Sequence, residues 1–198
     1  MIKRLFDIVS SVLGMIILFP LFLVIVILIF MDSPGEIFFR QIRIARGGGE
    51  FILYKFRTMF RDADKKGLLT VGMKDNRVTK IGYTLRKYKL DELPQLWNVF
   101  IGDMSIVGPR PEVPRYVAKY NQQQLKVISV KPGLTDYASI EYSNENEILA
   151  KSPNPEETYI NVIMPAKLKL NEKYIDEMGP VTDLKIIFKT IRKILVRA

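Results

Sequence analysis

An uncharged apolar stretch runs from Ile8 to Met31 and constrains this chain more than any other feature. As one straight helix it would rise about 36 Å, enough to cross a hydrocarbon core of about 30 Å. Pro20 lies near its midpoint, where a proline removes a backbone hydrogen bond and clashes with the preceding turn. Lys and Arg residues flank the stretch on both sides, and cytoplasmic flanks are enriched in these residues. We therefore expect residues 1–33 to form a re-entrant membrane helix broken at Pro20, with both ends on the cytoplasmic face.

A kinked helix that crosses the membrane once is the alternative, because prolines are tolerated in spanning helices. A secretory signal fits less well, since the apolar stretch is longer than a signal core and no small-residue cleavage site follows it.

The composition limits the chemistry that the chain can perform. Its 198 residues include neither cysteine nor histidine and carry a formal net charge of +9. Thiolate nucleophiles, His general bases, Ser/His/Asp triads and the usual zinc sites are therefore excluded. An enzyme of this composition would use carboxylates, Lys, Arg and hydroxyls, with a hard cation such as Mg²⁺. The positive charge indicates an anionic partner, which can be a nucleic acid, an acidic membrane surface or a phosphorylated substrate.

Residues 34–198 predict one small globular domain of mixed α/β class that is mainly helical. Two short apolar and aromatic runs on either side of residues 47–49, all glycine, predict a β-hairpin. Residues 61–77 predict a polar loop, and Asn76 is the predicted N-cap of the helix that follows. A second helix is predicted to start near Asp91, and residues 141–158 are predicted to be irregular.

The C-terminal segment predicts a basic amphipathic helix, with Leu184, Ile187, Phe188, Ile191 and Leu195 on its apolar face. Such a helix either lies on an anionic bilayer surface or packs its apolar face on the core.

Two adjacent carboxylates, Asp91 and Glu92, follow a run of cations that begins at Arg86. Capping of a helix would by itself account for them, because Asp is a common N-cap and Glu is favoured in a first turn. The cations, with Arg110 in a proline-stiffened GPRP segment, can instead converge on a helix N-terminus and bind a phosphate. Because adjacent helical residues point in different directions, one carboxylate can attack phosphorus or bind Mg²⁺ while the other handles a proton or orients the acceptor.

Three stretches resemble the bacterial sugar transferase family, the monotopic polyprenol-phosphate phosphoglycosyl transferases: KLDELPQLWNVFIGDMSIVGPRP, FILYKFRTM, and KRLFD before the apolar segment. The resemblance covers essentially the whole chain. It implies an enzyme on the cytoplasmic face of the bacterial inner membrane that moves a sugar-1-phosphate from a UDP-sugar to undecaprenyl phosphate, releases UMP and initiates a surface glycan. It further implies that Asp91 is a nucleophile beside Mg²⁺, forming a covalent phosphosugar intermediate, with Glu92 as its partner. The substrate-binding residues that it implies are Arg86, Arg110, Pro109, Pro111, Lys55, Arg57 and Lys131.

Two departures from the family pattern affect these expectations. Family members often carry Ser before the membrane proline, where this chain has Phe19. The segment that often reads Ile-Thr-Gly-Trp-Ala-Gln is here Leu-Thr-Asp-Tyr-Ala-Ser, residues 134–139, which leaves the sugar open. The expected partners are the UDP-sugar, undecaprenyl phosphate and anionic membrane lipid; no nucleic acid is expected, and a homodimer is left open.

Two alternatives to this function remain at the level of sequence. One is a non-catalytic, membrane-anchored basic module that binds anionic lipid or nucleic acid. The other is a transferase in which the lipid phosphate attacks the donor directly, without a covalent intermediate.

Overall fold

The computed structural model describes residues 2–61, 63 and 75–197. Residues 62 and 64–74, most of the predicted polar loop, lie outside this description. The protein is mostly helical with a short antiparallel hairpin, which confirms the predicted fold class.

The helices are α1 (Ile2–Asp32), α2 (Lys80–Lys87), α3 (Gln95–Ile101), α4 (Pro114–Val117), α5 (Tyr137–Glu141), α6 (Glu145–Ala150), α7 (Pro155–Thr158), α8 (Met164–Asp176) and α9 (Pro180–Arg197). The strands are β1 (Phe38–Ile44), β2 (Glu50–Phe56), β3 (Ser105–Val107) and β4 (Gly133–Thr135). Short 3₁₀ turns cover Arg46–Gly48, Leu90–Glu92 and Gln124–Ser129, and a π-helical turn, Tyr159–Ile163, joins α7 to α8.

Helix α1 continues through Pro20 instead of ending there. A proline removes one hydrogen bond, but its fixed φ is helical, so a helix can persist across it. Only 11% of the most apolar 18-residue window of α1 is buried, which distinguishes it from the core helix of a soluble domain. The helix is therefore long and apolar enough to enter a membrane, and most of its surface is free to do so.

The N-terminal end of α1 is fixed to the domain by polar contacts. Arg4 donates from both terminal nitrogens, at 2.7 Å each, to the carbonyl oxygens of Val99 and Phe100 at the end of α3. Asp7 is buried, and its Oδ1 accepts hydrogen bonds of 2.9 Å from Ser105 Oγ and from the N–H of Ile106.

The C-terminal end of α1 packs on a different part of the same domain. Ile25 and Ile29 are buried against Phe56 of β2 and Leu85 of α2. Asp32 Oδ2 then accepts a 2.9 Å hydrogen bond from the N–H of Ile81 in the first turn of α2. Both ends of α1 thus contact one small domain.

The hairpin forms as predicted around the glycines. Strands β1 and β2 are antiparallel, and Phe38 pairs with Phe56 while Ile44 pairs with Glu50. Gly47 and Gly48 have φ values of 81° and 88°, in the left-handed region that favours glycine.

A second, parallel pairing was not expected from the sequence. Ser105 of β3 pairs with Gly133 of β4, directly before the GPRP segment. The backbones approach so closely here that a Cβ on Gly133 would lie 2.1 Å from the nitrogen of Gly108. Only glycine fits this contact, which fixes the start of the loop that carries Arg110.

Three predictions of secondary structure were wrong. Helix α2 is capped by Thr79, whose Oγ1 accepts a 2.9 Å hydrogen bond from Gly82 N–H, and not by Asn76. The helix expected near Asp91 begins at Gln95, because residues 90–92 form a separate 3₁₀ turn. Residues 141–158 contain α6 and α7 instead of being irregular, since Asn154 caps α7 and a proline occupies its first turn.

Helix α9 packs on the core through Ile186, which is fully buried, and through Ile187 of the predicted apolar face, which is partly buried. The other four residues of that face, Leu184, Phe188, Ile191 and Leu195, are each more than half exposed. Most of the apolar stripe is therefore accessible beside the basic residues of the same helix, and the packing alternative holds only at Ile187.

Candidate active site

The two carboxylates lie in the tight turn between α2 and α3. Lys89 precedes the turn with φ 59° and ψ 19°, a left-handed conformation that is uncommon for a residue other than glycine. Strained backbone of this kind persists where the surrounding structure imposes it, often at functional sites. The turn leaves Asp91 only 7% exposed.

Glu92 is the centre of an ion-pair cluster. Both of its oxygens contact the guanidinium of Arg110, with Nη1 donating to Oε2 at 3.0 Å and Nη2 donating to Oε1. Lys55 Nζ donates to Oε1 at 3.2 Å. Burial would raise the pKa of Glu92, but the charges of Arg110, Lys55 and then Lys89 outweigh it and hold that pKa well below its usual value. Glu92 is therefore ionised at neutral pH and paired with Arg110 and Lys55.

Asp91 differs from Glu92 both in its hydrogen bonds and in the direction of its pKa shift. Its Oδ1 is buried without a hydrogen-bond partner among the described residues. Burial, and next the neighbouring Glu92 carboxylate, raise the pKa of Asp91, while Lys55, Lys89 and Arg86 oppose the rise. Of the two carboxylates, Asp91 is the one with a buried oxygen that no described protein group binds.

A cavity of about 1340 Å³ opens onto this pair and brings most of the predicted substrate-binding residues together. Its wall includes Asp91, Glu92, Arg86, Arg110, Pro111, Lys55 and Arg57. Arg86 is oriented by Thr58, whose Oγ1 accepts a 2.8 Å hydrogen bond from Nε. Arg57 is 8% exposed and donates from Nη2 to the carbonyl oxygen of Ser33, while its Nε and Nη1 are buried without a partner among the described residues.

Pro109 and Lys131 lie outside the wall of this cavity. Pro109 is buried, and its carbonyl oxygen accepts a 2.8 Å hydrogen bond from Gly133 N–H. It therefore helps to fix the GPRP segment without lining the cavity. Lys131 lies near Gly102 and Arg4, at the N-terminal end of α1.

Sequence reasoning missed two fully buried side chains that position the site. Asn98 of α3 donates to the carbonyl oxygen of Ile52 at 2.7 Å and accepts from the N–H of Tyr54 at 3.1 Å, which holds β2 and therefore Lys55. Asp136 accepts from Arg110 N–H at 3.1 Å and caps α5. The lone amide of Asn98 in an apolar helical pattern was an available signal, whereas Asp136 follows a strand too short to be recognised from the sequence.

Arg43 of β1 also holds the GPRP segment. Its Nη1 donates to the carbonyl oxygen of Pro111 at 2.8 Å and to Glu112 Oε1 at 3.3 Å. Tyr159 donates its hydroxyl to the other oxygen of Glu112. The hairpin and the π-helical turn before α8 thus both contact this loop.

The residues present fit a magnesium ion that is held by few protein ligands, together with substrate phosphates and waters. No group of three His, Cys, Asp or Glu side chains gathers within the described parts of the chain. Mg²⁺, however, is commonly held by one or two carboxylates together with substrate phosphates and waters. The unpartnered Oδ1 of Asp91 can supply one such carboxylate oxygen.

Comparison with known proteins identifies the family of the chain. The profile of the bacterial sugar transferase family matches residues 1–197. A UDP-N-acetylgalactosamine-undecaprenyl-phosphate N-acetylgalactosaminephosphotransferase from Aeromonas hydrophila is 34% identical over 197 residues, which are 98% of this chain and 44% of that protein. The uncharacterized sugar transferase EpsL of Bacillus subtilis is 37% identical over 195 residues, 98% of this chain and 88% of EpsL.

A UDP-glucose:undecaprenyl-phosphate glucose-1-phosphate transferase of Escherichia coli is 34% identical over 201 residues, 98% of this chain and 40% of that protein. The chain therefore spans less than half the length of the Aeromonas and Escherichia relatives and most of EpsL. By its match over nearly every residue, the chain belongs to the bacterial sugar transferase family.

Proposed function

We propose that this protein transfers a sugar-1-phosphate from a UDP-sugar to undecaprenyl phosphate and so initiates a surface glycan. The observation that carries the proposal is the buried, unpartnered oxygen of Asp91 beside the Glu92–Arg110–Lys55 cluster. Relatives named as undecaprenyl-phosphate sugar phosphotransferases support the same reaction.

In the first step, a carboxylate oxygen of Asp91 attacks the phosphorus that bears the sugar. The new bond joins this oxygen to phosphorus, and the bond from phosphorus to the bridging oxygen breaks. UMP leaves with that electron pair. Because the second pKa of a phosphate monoester is about 6, UMP leaves as a stable anion and no general acid is needed. This agrees with Glu92, which remains ionised and cannot donate a proton.

The cations stabilise the negative charge that accumulates on the transferred group. Lys55, Arg86 and Arg110 line the cavity together with Asp91, and Arg57 is a further cation in its wall. Preorganised donors in a site shielded from water act on the transition state without a cost of reorientation. Mg²⁺, held by Asp91 and the donor phosphates, would add charge neutralisation at the diphosphate.

In the second step, a phosphate oxygen of the lipid acceptor attacks the same phosphorus and releases Asp91. The acceptor is membrane-bound, so the cavity must open near the bilayer. Gly14 and Leu18 of α1 form part of the cavity wall, and both ends of α1 contact the same domain. These contacts support a re-entrant, monotopic topology, because both ends of α1 would then lie on the side of the membrane that holds the domain, and the flanking Lys and Arg residues favour the cytoplasmic side.

Release of UMP tests the activity. Membranes containing the protein should release UMP from at least one UDP-sugar in the presence of undecaprenyl phosphate and Mg²⁺, and Asp91→Asn should abolish this. Asp176→Asn is the matched control, since the Asp176 side chain is 65% exposed and does not line the cavity. Full activity in Asp91→Asn would exclude Asp91 as the nucleophile.

Mass spectrometry of the protein mixed with donor, but without acceptor, tests the intermediate. We expect a phosphosugar adduct on Asp91. Turnover without any adduct would favour direct attack by the lipid phosphate.

Labelling of engineered cysteines tests the topology, because the natural chain has no cysteine. Ile2→Cys and Val196→Cys lie at opposite ends of the chain and are both exposed. We expect neither to react with an impermeant reagent in intact cells and both to react after lysis. Labelling of Ile2→Cys alone from outside would refute the re-entrant topology.

A further inference from the structure

Helix α9 carries an apolar face that the described part of the domain does not cover. Its contacts with the core use the other side of the helix, through the fully buried Ile186 and through Thr190, whose Oγ1 lies 2.7 Å from Thr135 Oγ1. Five apolar side chains, each more than half exposed, recur every three or four residues: Val181, Leu184, Phe188, Ile191 and Leu195. With 3.6 residues per turn, they lie within about 80° of the helix circumference. These five residues form the outer face of α9.

The charges on α9 are also separated by side. Lys185, Lys189 and Arg192 are exposed and follow directly after the outer face around the helix. Asp183 is the single carboxylate of α9 and is buried. It pairs with Lys3 at 2.5 Å and accepts a 2.8 Å hydrogen bond from the hydroxyl of Tyr174. The exposed charges of α9 are therefore all positive and lie beside an apolar stripe.

The ion pair between Lys3 and Asp183 also places α9 beside the apolar helix α1. Lys3 lies in the first turn of α1, and Asp183 lies in the first turn of α9. Both helices therefore begin at one point of the domain, α1 with most of its apolar surface uncovered and α9 with its outer face uncovered. We expect a bilayer that receives α1 to lie close to the start of α9.

We propose that α9 is a second membrane-contact element of this protein. It lies in the interface of an anionic bilayer, with its outer face towards the acyl chains and its cations at the headgroups. Helices that bind membrane surfaces in this way have large apolar residues on one face and Lys or Arg beside them. Anionic headgroups attract each such cation. The inference goes beyond the transferase reaction and does not depend on it, because it rests on the exposed surface of α9 and the membrane attachment of α1.

A second copy of this chain fits the outer face less well than a bilayer does. Residues spaced by three and four also form the seam of a coiled coil, in which charged residues beside the seam select the partner. Lys185 and Arg192 occupy one flank of this seam, whereas Ile187 and Ile194 on the other flank are partly buried and line the cavity. Two paired copies would therefore offer no opposite charge to these cations, which anionic headgroups do offer.

Single cysteines test this orientation, because the natural chain has none. In the full chain, each cysteine is labelled with an environment-sensitive fluorophore, and the protein is reconstituted in vesicles of phosphatidylcholine and phosphatidylglycerol that contain a nitroxide-labelled lipid as quencher. Leu184→Cys, Phe188→Cys and Ile191→Cys sample the outer face. Lys189→Cys and Lys193→Cys, on the basic side of the same helix, are the controls. Because the apolar face of such a helix lies about 5–10 Å deep, we expect quenching about threefold stronger at the outer face.

The contribution of charge is tested with Lys185→Gln/Lys189→Gln in the Phe188→Cys chain, over a series of phosphatidylglycerol fractions. Each removed cation should lower the ratio of inserted to free α9 about fivefold, so half-maximal quenching should need more phosphatidylglycerol. Lys119→Gln/Lys151→Gln is the matched control, because it removes two exposed lysines outside α9. We expect this control to leave the quenching nearly unchanged.

Equal quenching on both sides of α9, or quenching that does not depend on phosphatidylglycerol, would overturn the proposal. An equal effect of the control pair would overturn it as well, since the response would then be to net charge alone. Outer-face labels that are shielded without being quenched, together with energy transfer between differently labelled copies, would instead assign the outer face to a second copy. Thermal unfolding identifies variants that do not fold, and any two of the three outer-face positions suffice for the comparison. UMP release in the same vesicles tests the transferase function separately, because quenching does not require turnover.

Discussion

Replacement of Asp91 by Asn should make the folded protein more stable while it removes the proposed nucleophile. The change preserves the shape of the side chain and deletes its charge. Asp91 is 7% exposed, and its Oδ1 has no partner in the described structure. Leaving a buried polar atom unpaired costs about 1–3 kcal/mol, and more when the group is charged. Asn keeps part of that cost, so we expect a gain in unfolding free energy of about 1 kcal/mol.

The gain should depend on pH in a defined direction. Burial and the Glu92 carboxylate raise the pKa of Asp91, so the folded state binds a proton more readily than the unfolded chain does. The destabilising effect of the Asp91 charge is full above the raised pKa and is lost as pH falls through it. Asn does not titrate. The advantage of Asp91→Asn should therefore be present at neutral pH and vanish below the ordinary carboxyl pKa of about 4.

Thermal unfolding followed by the fluorescence of Trp97, the single tryptophan, measures this directly. For a domain of this size, 1 kcal/mol corresponds to a rise in Tm of about 2–4 °C. Asp176→Asn makes the same chemical change at a mostly exposed carboxylate and should move Tm much less. A lower Tm for Asp91→Asn, or an advantage that grows on acidification, would refute the electrostatic reasoning.

Three further variants test the surroundings of the site. Glu92→Gln leaves two largely buried cations unpaired and should lower the unfolding free energy by about 3 kcal/mol, measured as a fall in Tm together with loss of UMP release. Asn98→Leu leaves a carbonyl and an N–H of β2 without partners and should cost about 2 kcal/mol in the same assay. Gly133→Ala places a Cβ 2.1 Å from the nitrogen of Gly108 and should cost about 1–3 kcal/mol, with reduced UMP release because the loop that carries Arg110 shifts. Wild-type Tm and UMP release in any one variant would contradict the role given to that residue.

The parts of the site that could be predicted are those that local pattern and charge reveal. Asp91, Glu92 and Arg86 lie close together in sequence, and Arg110 is marked by its prolines. The structure brings these residues to one cavity wall. The sequence could not show that the two carboxylates differ in their ion pairs and in the direction of their pKa shifts. That difference depends on Lys55 and Arg110, which reach Glu92 from distant positions in the chain, while Asp91 Oδ1 has no partner among the described residues.

The errors in helix boundaries have a related origin. Asp91 looks like a helix start because Asp and Pro94 are both favoured there. Lys89, however, adopts a left-handed conformation that the side-chain pattern does not indicate, and the chain makes a separate turn before α3. The parallel pairing of β3 with β4 was missed because three-residue strands are too short to show a period.

The polar contacts of α1 connect this apolar helix to the proposed phosphate-binding site. Asp7 is bonded to Ser105 and to Ile106, only a few residues before Arg110. Asp32, at the other end of the helix, is bonded to the first turn of α2, which carries Arg86. Each end of α1 thus holds an element that supplies one cation to the cavity. If α1 lies in the bilayer as proposed, a displacement of α1 would move these two cations relative to Asp91, because the Asp7 and Asp32 carboxylates connect the helix to the elements that carry them.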